Sequence, residues 1–306
     1  MSKVLLSDYR QSNLGMQDPQ AGLTDQRNRV SLKRQEASEQ KNHAVWLTKA
    51  LREKLFYLRY FPRMRLGGSG GEEADRIEGA ELWLGLPNRR RGLVSVGRLL
   101  GNLQKPGLSG EMLRYTLDAA AADIRLWPAD WRIAVPLPSR TLANAAVLDM
   151  LLTAFGREGL GEGRVDVQIN ESELVEGGMV RHHAIASMRE SGVGVILEGF
   201  GATFGSLALL SRLQLTGLKL DRRLAHTMRS DGAPDEMTLI RASMDTAHHL
   251  GIPVTIDGIE TEAEMQQIRA MGVDLVQGPW VGPAMPAAAI RVRARNSGTR
   301  GSVTEL

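Results

Sequence analysis

The chain has 306 residues, of which 42% are apolar and 24% charged, and its net charge is +3. This is the make-up of a globular chain long enough for one large core or two modest ones, and the scattered basic residues give no nucleic-acid face. The absence of cysteine excludes disulfides, thiol catalysis and Cys-ligated zinc, and without a run of about 18 apolar residues no membrane span is expected.

Residues 1–41 are rich in Gln, Ser, Asn, Asp, Lys and Arg and lack a sustained apolar period, so they read as a flexible polar arm. The apolar start "MSKVLL" is too short for a secretory signal, and a cytoplasmic location is the expectation. A helix is predicted from near His43 ("HAVWLTKALREKL"); its Lys49, Arg52 and Lys54 read as a solvated face in preference to a membrane or partner surface.

From there the chain alternates. Strand-like runs are "LFYLRYF", "IEGAELWLGL", "RIAVPL", "RVDVQI", "GVGVIL", "GLKL", "PVTID" and "DLVQG". Amphipathic helical patterns separate most of them: "GEMLRYTLDAAAADIRLW", "LANAAVLDMLLTAFG", "MVRHHAIASMRES", "FGSLALLSRL", "EMTLIRASMDTAHHLG" and "EAEMQQIRAMG". Short apolar strands alternating with helices indicate parallel βα units, and this number of strands predicts an α/β fold, a TIM-like (β/α)8 barrel. Only the Gly-Ser segment "RMRLGGSGGEEADR" joins the first two strands, so the first strand is expected to run antiparallel. The barrel is assigned to residues 42–292, and the polar residues 293–306 to a flexible tail.

Chemistry in such a barrel collects where the strands end. Those ends read Phe61, Glu81, Pro136, Gln168 with Glu171, Glu198 with Gly199, Lys219 with Asp221, Asp257 with Glu260, and Gln277. Acid, amide and amine groups from six strands therefore face one rim.

Other features have plainer readings. The glycines from Gly192 to Gly205 lack the order and the distal acid of a dinucleotide loop, and read as a tight βα turn. His182–His183 and His248–His249 are adjacent on helices, point about 100° apart and cannot share a metal. Ser139, Ser206 and Thr261 have no His–Asp setting and are assigned to turns and caps. "TEAE" from Thr261 reads as a helix start with acids at the positive end of the dipole. Trp280 reads as rim or core packing, and Arg89–Arg91 as solvated surface.

The motifs "GAELWLGLPN", "VDVQINES", "ILEGFGATFGSLALLSRLQLTGLKLDR", "LGIPVTIDGIETEAEMQQIRAMGVDLVQG" and "VGPAMP" together resemble the successive motifs of EAL domains, the cyclic di-GMP phosphodiesterases, over roughly residues 50–290. The resemblance implies a site in which two divalent cations activate water and clamp the phosphodiester, which needs hard oxygen ligands on several strands. The family's first metal-binding glutamate matches Glu81. The asparagine ligand falls on Pro136, the next glutamate on Gln168, and the paired aspartates on Glu198 and Gly199. Glu171 matches a loop-ordering glutamate, Lys219 the active-site lysine, and Asp257 a proposed general-base glutamate one methylene longer. Four cation-binding carboxylates are thus reduced to two, Glu81 and Glu198, with Gln168 a neutral residual ligand. A cation pair would be under-neutralised, and Lys219 and Asp257 are expected to be vestigial catalytic positions.

Ligand binding in the family also leans on an arginine after the signature triplet and a glutamine on the first strand. These fall on Gly85 and Phe61, leaving Gln277, Asp257 and Lys219 for any retained cyclic di-GMP site. The resemblance implies a catalytically inactive regulator of motility or biofilm type in a bacterium, acting on an unidentified protein partner, with a homodimer as in other members. No cofactor is expected, Mg²⁺ or Mn²⁺ entering only with residual activity. The alternatives are a non-hydrolysing cyclic di-GMP receptor and a weak metal-dependent phosphodiesterase.

Overall fold

The structure, a computed structural model, describes residues 45–67, 74–88, 92–95, 106–138, 142, 144–155, 163–200, 207–220 and 234–297. The expected arm over 1–41, Arg89–Arg91, Ser139, Ser206 and Asp221 lie outside these residues.

A helix over residues 45–52 (α1) is followed by β1 (Tyr57–Arg65), β2 (Arg76–Asn88), β3 (Gly92–Ser95), α2 (Pro106–Ile124), β4 (Arg132–Pro136), α3 (Ala145–Phe155), β5 (Val165–Asn170) and α4 (Glu171–Glu190). Then come β6 (Gly194–Phe200), α5 (Leu207–Arg212), β7 (Gly217–Leu220), α6 (Pro234–His249), β8 (Val254–Ile256), α7 (Glu262–Ala270), β9 (Leu275–Val276) and α8 (Ala287–Ser297). Hydrogen bonding runs in the order β1-β9-β8-β7-β6-β5-β4-β2, and the β1–β2 pairing closes the ring. Strands from β4 to β9 are parallel to one another and β2 is parallel to β4. β1 is antiparallel to both of its neighbours, β2 and β9. The (β/α)8-type barrel and its antiparallel first strand are therefore as the alternation predicts.

Period-two side-chain alternation sorts the interior from the helix-facing shell. On β5, Val165, Val167 and Ile169 join the large apolar cluster, as do Val195 and Leu197 on β6, Leu218 on β7 and Val254 and Ile256 on β8. The intervening Asp166, Gln168, Lys219, Thr255 and Gln277 are also buried but polar; these fill the barrel lumen. A smaller apolar cluster packs α1 through Leu47 and Ala50 against Phe56, Leu86, Leu108 and Met112.

Three boundaries differ from the sequence reading. β1 continues to Arg65, so Phe61 lies in mid-strand opposite Glu81 and not at a strand end; the proline after it does not stop the strand. β3, "GLVS", adds a ninth strand on the outer side of β2. α8 carries ordered chain past residue 292, through Ser297. Among the described residues no helix is long and apolar enough to cross a membrane.

Candidate functional site

The mouth of the barrel lies at the C-terminal ends of its parallel strands, and of the polar lumen residues Gln168 and Lys219 meet there on Glu81. Lys219 is the centre. It sits on β7, where all four residues are buried, and its Nζ donates to Glu81 Oε2 on β2 at 2.5 Å. Asp257 Oδ2, just beyond β8, is 3.3 Å from the same ammonium. Gln168 on β5 donates from Nε2 to the same Glu81 oxygen at 3.1 Å. One carboxylate oxygen thus receives two N–H donors from across the barrel. Burial alone pushes the Lys219 pKa down. The negative charges of Glu81, Asp257 and Glu198 outweigh it and hold the ammonium above the ordinary lysine range. Lys219 stays charged because the lumen acids surround it.

Glu198 lies on β6 in register with Lys219. Its neighbour Gly199 has φ +73° and falls at an irregularity where Glu198 pairs with Lys219 and Phe200 with Leu220. It is the extra residue of a bulge, in a region of backbone space that glycine enters freely. Pro136 is exposed at the end of β4. Glu171 is buried as the first residue of α4; Asn170 caps that helix, its Oδ1 accepting from Ser172 N at 3.0 Å. Gln277 is buried, its backbone carbonyl accepting from Gly258 and Ile259 at 3.1 Å, and its Oε1 has no hydrogen-bond partner among the described residues. The same holds for Gln168 Oε1.

The structure therefore brings Glu81, Gln168, Lys219 and Asp257 into contact, with Glu198 close enough to act on the ammonium. It does not draw Pro136 into the group. Nor does this donor set fit a cation pair. Glu81 already holds an ammonium and an amide, Gln168 brings no charge, and Pro136 and Gly199 have no side-chain ligand atom. Among the described residues no group of three His, Cys, Asp or Glu side chains is placed to hold a metal.

Trp83 is a mouth residue that the sequence reading passed over. It shares a β2 face with Glu81 and Gly85, and its ring lies where a side chain at position 85 would begin: a Cβ there would meet the indole at 2.3 Å. The signal was the tryptophan inside "AELWLGL", two residues from each. The remaining polar candidates are structural. Thr261 caps α7 in a capping box with Glu264, Trp280 Nε1 donates to Glu262 at 3.1 Å, His248 Nε2 meets Asp274 at 2.8 Å and His249 Nδ1 meets the Asp245 carbonyl at 2.7 Å.

Comparison with known proteins gives one consistent result. The family model described as "EAL domain" matches residues 44–284. The bifunctional diguanylate cyclase/cyclic di-GMP phosphodiesterase MucR of Pseudomonas aeruginosa is 28% identical over 245 residues, which are 79% of this chain and 35% of that protein. The cyclic di-GMP phosphodiesterase NbdA of the same organism is 26% identical over 248 residues, 80% of this chain and 31% of that one. The chain thus spans about a third of the length of these relatives. Among solved structures, the PaMucR phosphodiesterase in complex with c-di-GMP superposes with a TM-score of 0.70 at 27% identity, covering 80% of this chain and 97% of that one. The FimX EAL domain of Pseudomonas aeruginosa, bound to c-di-GMP, superposes with a TM-score of 0.68 over 79% of this chain and 96% of that one. At 16% identity this second likeness concerns the fold alone.

Proposed function

The chain belongs to the EAL domain family, and from that premise we propose that it is a non-catalytic member of cyclic di-GMP signalling that acts by contact with a protein partner. The observation that carries this reading is the use of Glu81. In a two-cation hydrolase this carboxylate must offer its lone pairs to metal. Here Oε2 is engaged by Lys219 and Gln168, and two other ligand positions are occupied by Pro136 and Gly199. Replacing an ammonium by a divalent ion would require the lysine to leave a buried position where three acids hold it. Pairing Lys219 internally instead neutralises part of the lumen charge without metal. Motility or biofilm control is the expected setting, and a cytoplasmic location and a homodimer belong to the same proposal.

Purified protein incubated with cyclic di-GMP and excess Mn²⁺ is expected to release no linear dinucleotide. Metal-dependent product, lost on Glu81→Gln, would sink the proposal and establish the weak phosphodiesterase. Proteins captured by the full chain are expected also to be captured by a chain beginning at residue 42 if the barrel makes the contact; loss of capture assigns it to the arm.

A second reading, a non-hydrolysing cyclic di-GMP receptor, is favoured by two observations. The MucR domain solved with c-di-GMP is similar in fold and 27% identical, and Gln277 presents a buried amide oxygen that has no partner among the described residues. Against it stand Trp83 over Gly85 and the apolar Phe61, which leave no cation for a phosphate where the family has its arginine. Calorimetric titration separates the readings: micromolar or tighter binding, weakened by Asp257→Ala, supports the receptor.

A further inference from the structure

At the end of the barrel opposite the mouth, the start of β2, the α2–β4 connection and the last turns of α8 enclose a hollow of about 490 Å³. That volume is in the range of small-ligand pockets, about 300–1,000 Å³. Trp127 and Trp131 form one wall, and Leu126, Arg76, Arg291 and Arg295 also line it. The two indoles are packed edge to face with centroids 5.6 Å apart; both are 4% exposed and anchored in the core, so they offer the hollow rigid ring edges.

Three features set this hollow apart from an ordinary groove. First, its lining holds three arginines and, among the described residues, no carboxylate. The acids near the lining in sequence have partners elsewhere: Asp75 pairs with Arg269 and Glu78 with Arg65, Asp123 accepts from the Tyr60 hydroxyl at 2.6 Å, and Asp130 acts on Arg164. Arg291 and Arg295 stand four residues apart on α8, an arrangement in which like charges repel on a helix. Second, the Trp127 indole N–H is buried and lacks an acceptor among the described residues, although buried donors are normally satisfied. Third, Leu126 is 61% exposed beside the aromatic wall, leaving apolar surface open next to the cations.

We propose that this hollow binds a small compound carrying an oxyanion on a flat apolar body, with Arg291 and Arg295 reading the charge and the Trp127–Trp131 wall receiving the ring. Guanidinium groups match carboxylate and phosphate alike through paired N–H donors. The oxyanion class is therefore shared, and the small volume and aromatic wall select a compact aromatic acid over a macromolecular surface. The site is separate from the mouth and does not rest on the reading given to Lys219 and Glu81.

The test is calorimetry on the full chain with 2-naphthoate, 2-naphthyl phosphate and the uncharged 2-naphthylmethanol. At least one anion is expected to bind with a micromolar dissociation constant, and the neutral compound about tenfold or more weakly than that anion. The tighter of the two anions identifies the preferred oxyanion. Combined Arg291→Ala and Arg295→Ala, at a half-buried and an exposed position of α8, are expected to weaken the anion about tenfold or more with the melting temperature little changed. Trp131→Ala risks the fold, so the arginine pair decides. Failure of both anions to bind, equal binding of the neutral compound, or undiminished binding by the arginine variant overturns the proposal. Cyclic di-GMP titrated into the same variant reports on the mouth independently.

Discussion

Gly199 carries more than a missing ligand. Read in the sequence, it is the second acid of a metal pair replaced by glycine. In the structure it is also the bulge residue of β6 at φ +73°. A Cβ there would lie 3.0 Å from the Asn170 side-chain nitrogen, on the residue that caps α4. Gly199→Asp is therefore expected to lower stability by about 1–2 kcal/mol and to restore no hydrolysis. Urea denaturation checks it; an unchanged or raised midpoint at constant m would show that the bulge accepts a side chain without strain. The bulge was not legible in the sequence because it depends on how β6 pairs with β7. The Lys219–Glu81 contact was hidden for the same kind of reason. Both residues stood out as polar strand ends, but only closure of the barrel sets β2 and β7 facing each other across its lumen.

Elements were far more legible than contacts between them. Period-two apolar runs separated by amphipathic stretches are local signals, and every barrel strand they marked is present. The antiparallel first strand followed from the lack of any helix before β2. β3 escaped because four residues outside the ring need no alternation, and Phe61 was misplaced because the β1 pattern was ended at a proline. The start of α7 was read correctly from "TEAE". Thr261 Oγ1 accepts from Glu264 N at 3.2 Å, and Glu264 Oε2 accepts from Thr261 N at 3.3 Å and Glu260 N at 2.7 Å. This box fixes the chain between Asp257 and the helix that follows. Thr261→Ala is expected to destabilise by about 1 kcal/mol, seen as a lower urea midpoint with m unchanged; no shift would mean that Glu264 alone satisfies the helix end.

Across the whole molecule, the two ends of the barrel use charge differently. The mouth gathers acids around one lysine, and the base of the barrel gathers arginines around Asp166 and Glu78. Asp166, buried on β5, accepts from Arg132 at 2.5 and 2.9 Å and from Thr216 at 3.2 Å, with Arg63 3.6 Å away. Burial pushes its pKa up, but hydrogen bonding to Arg132 and the charges of Arg63 and Arg132 prevail and hold it below the ordinary aspartate value. A depressed folded-state pKa gives stability that is present above the unfolded value, about 3.9, and lost as pH falls through the folded one. Unfolding free energy is thus expected to fall on acidification below about pH 4. Asp166→Asn should be less stable at neutral pH and show a flatter acid limb; an identical slope in the variant would assign the acid sensitivity to other carboxylates.

The closure of β1 has a consequence for how the chain is made. β1 leaves the ribosome first among the described strands, and one side of it is soon occupied by β2. The other side waits for Met64 and Arg65 to meet Val276 and Leu275, and for Tyr60 and Met285 to exchange backbone hydrogen bonds at 2.8 and 3.1 Å. Until those late residues emerge, a nascent barrel leaves this edge of β1 open as well as that of its latest strand, a template on which strands of neighbouring chains can add. Emergence of β9 and Met285, and not the formation of any earlier βα unit, is what removes that edge.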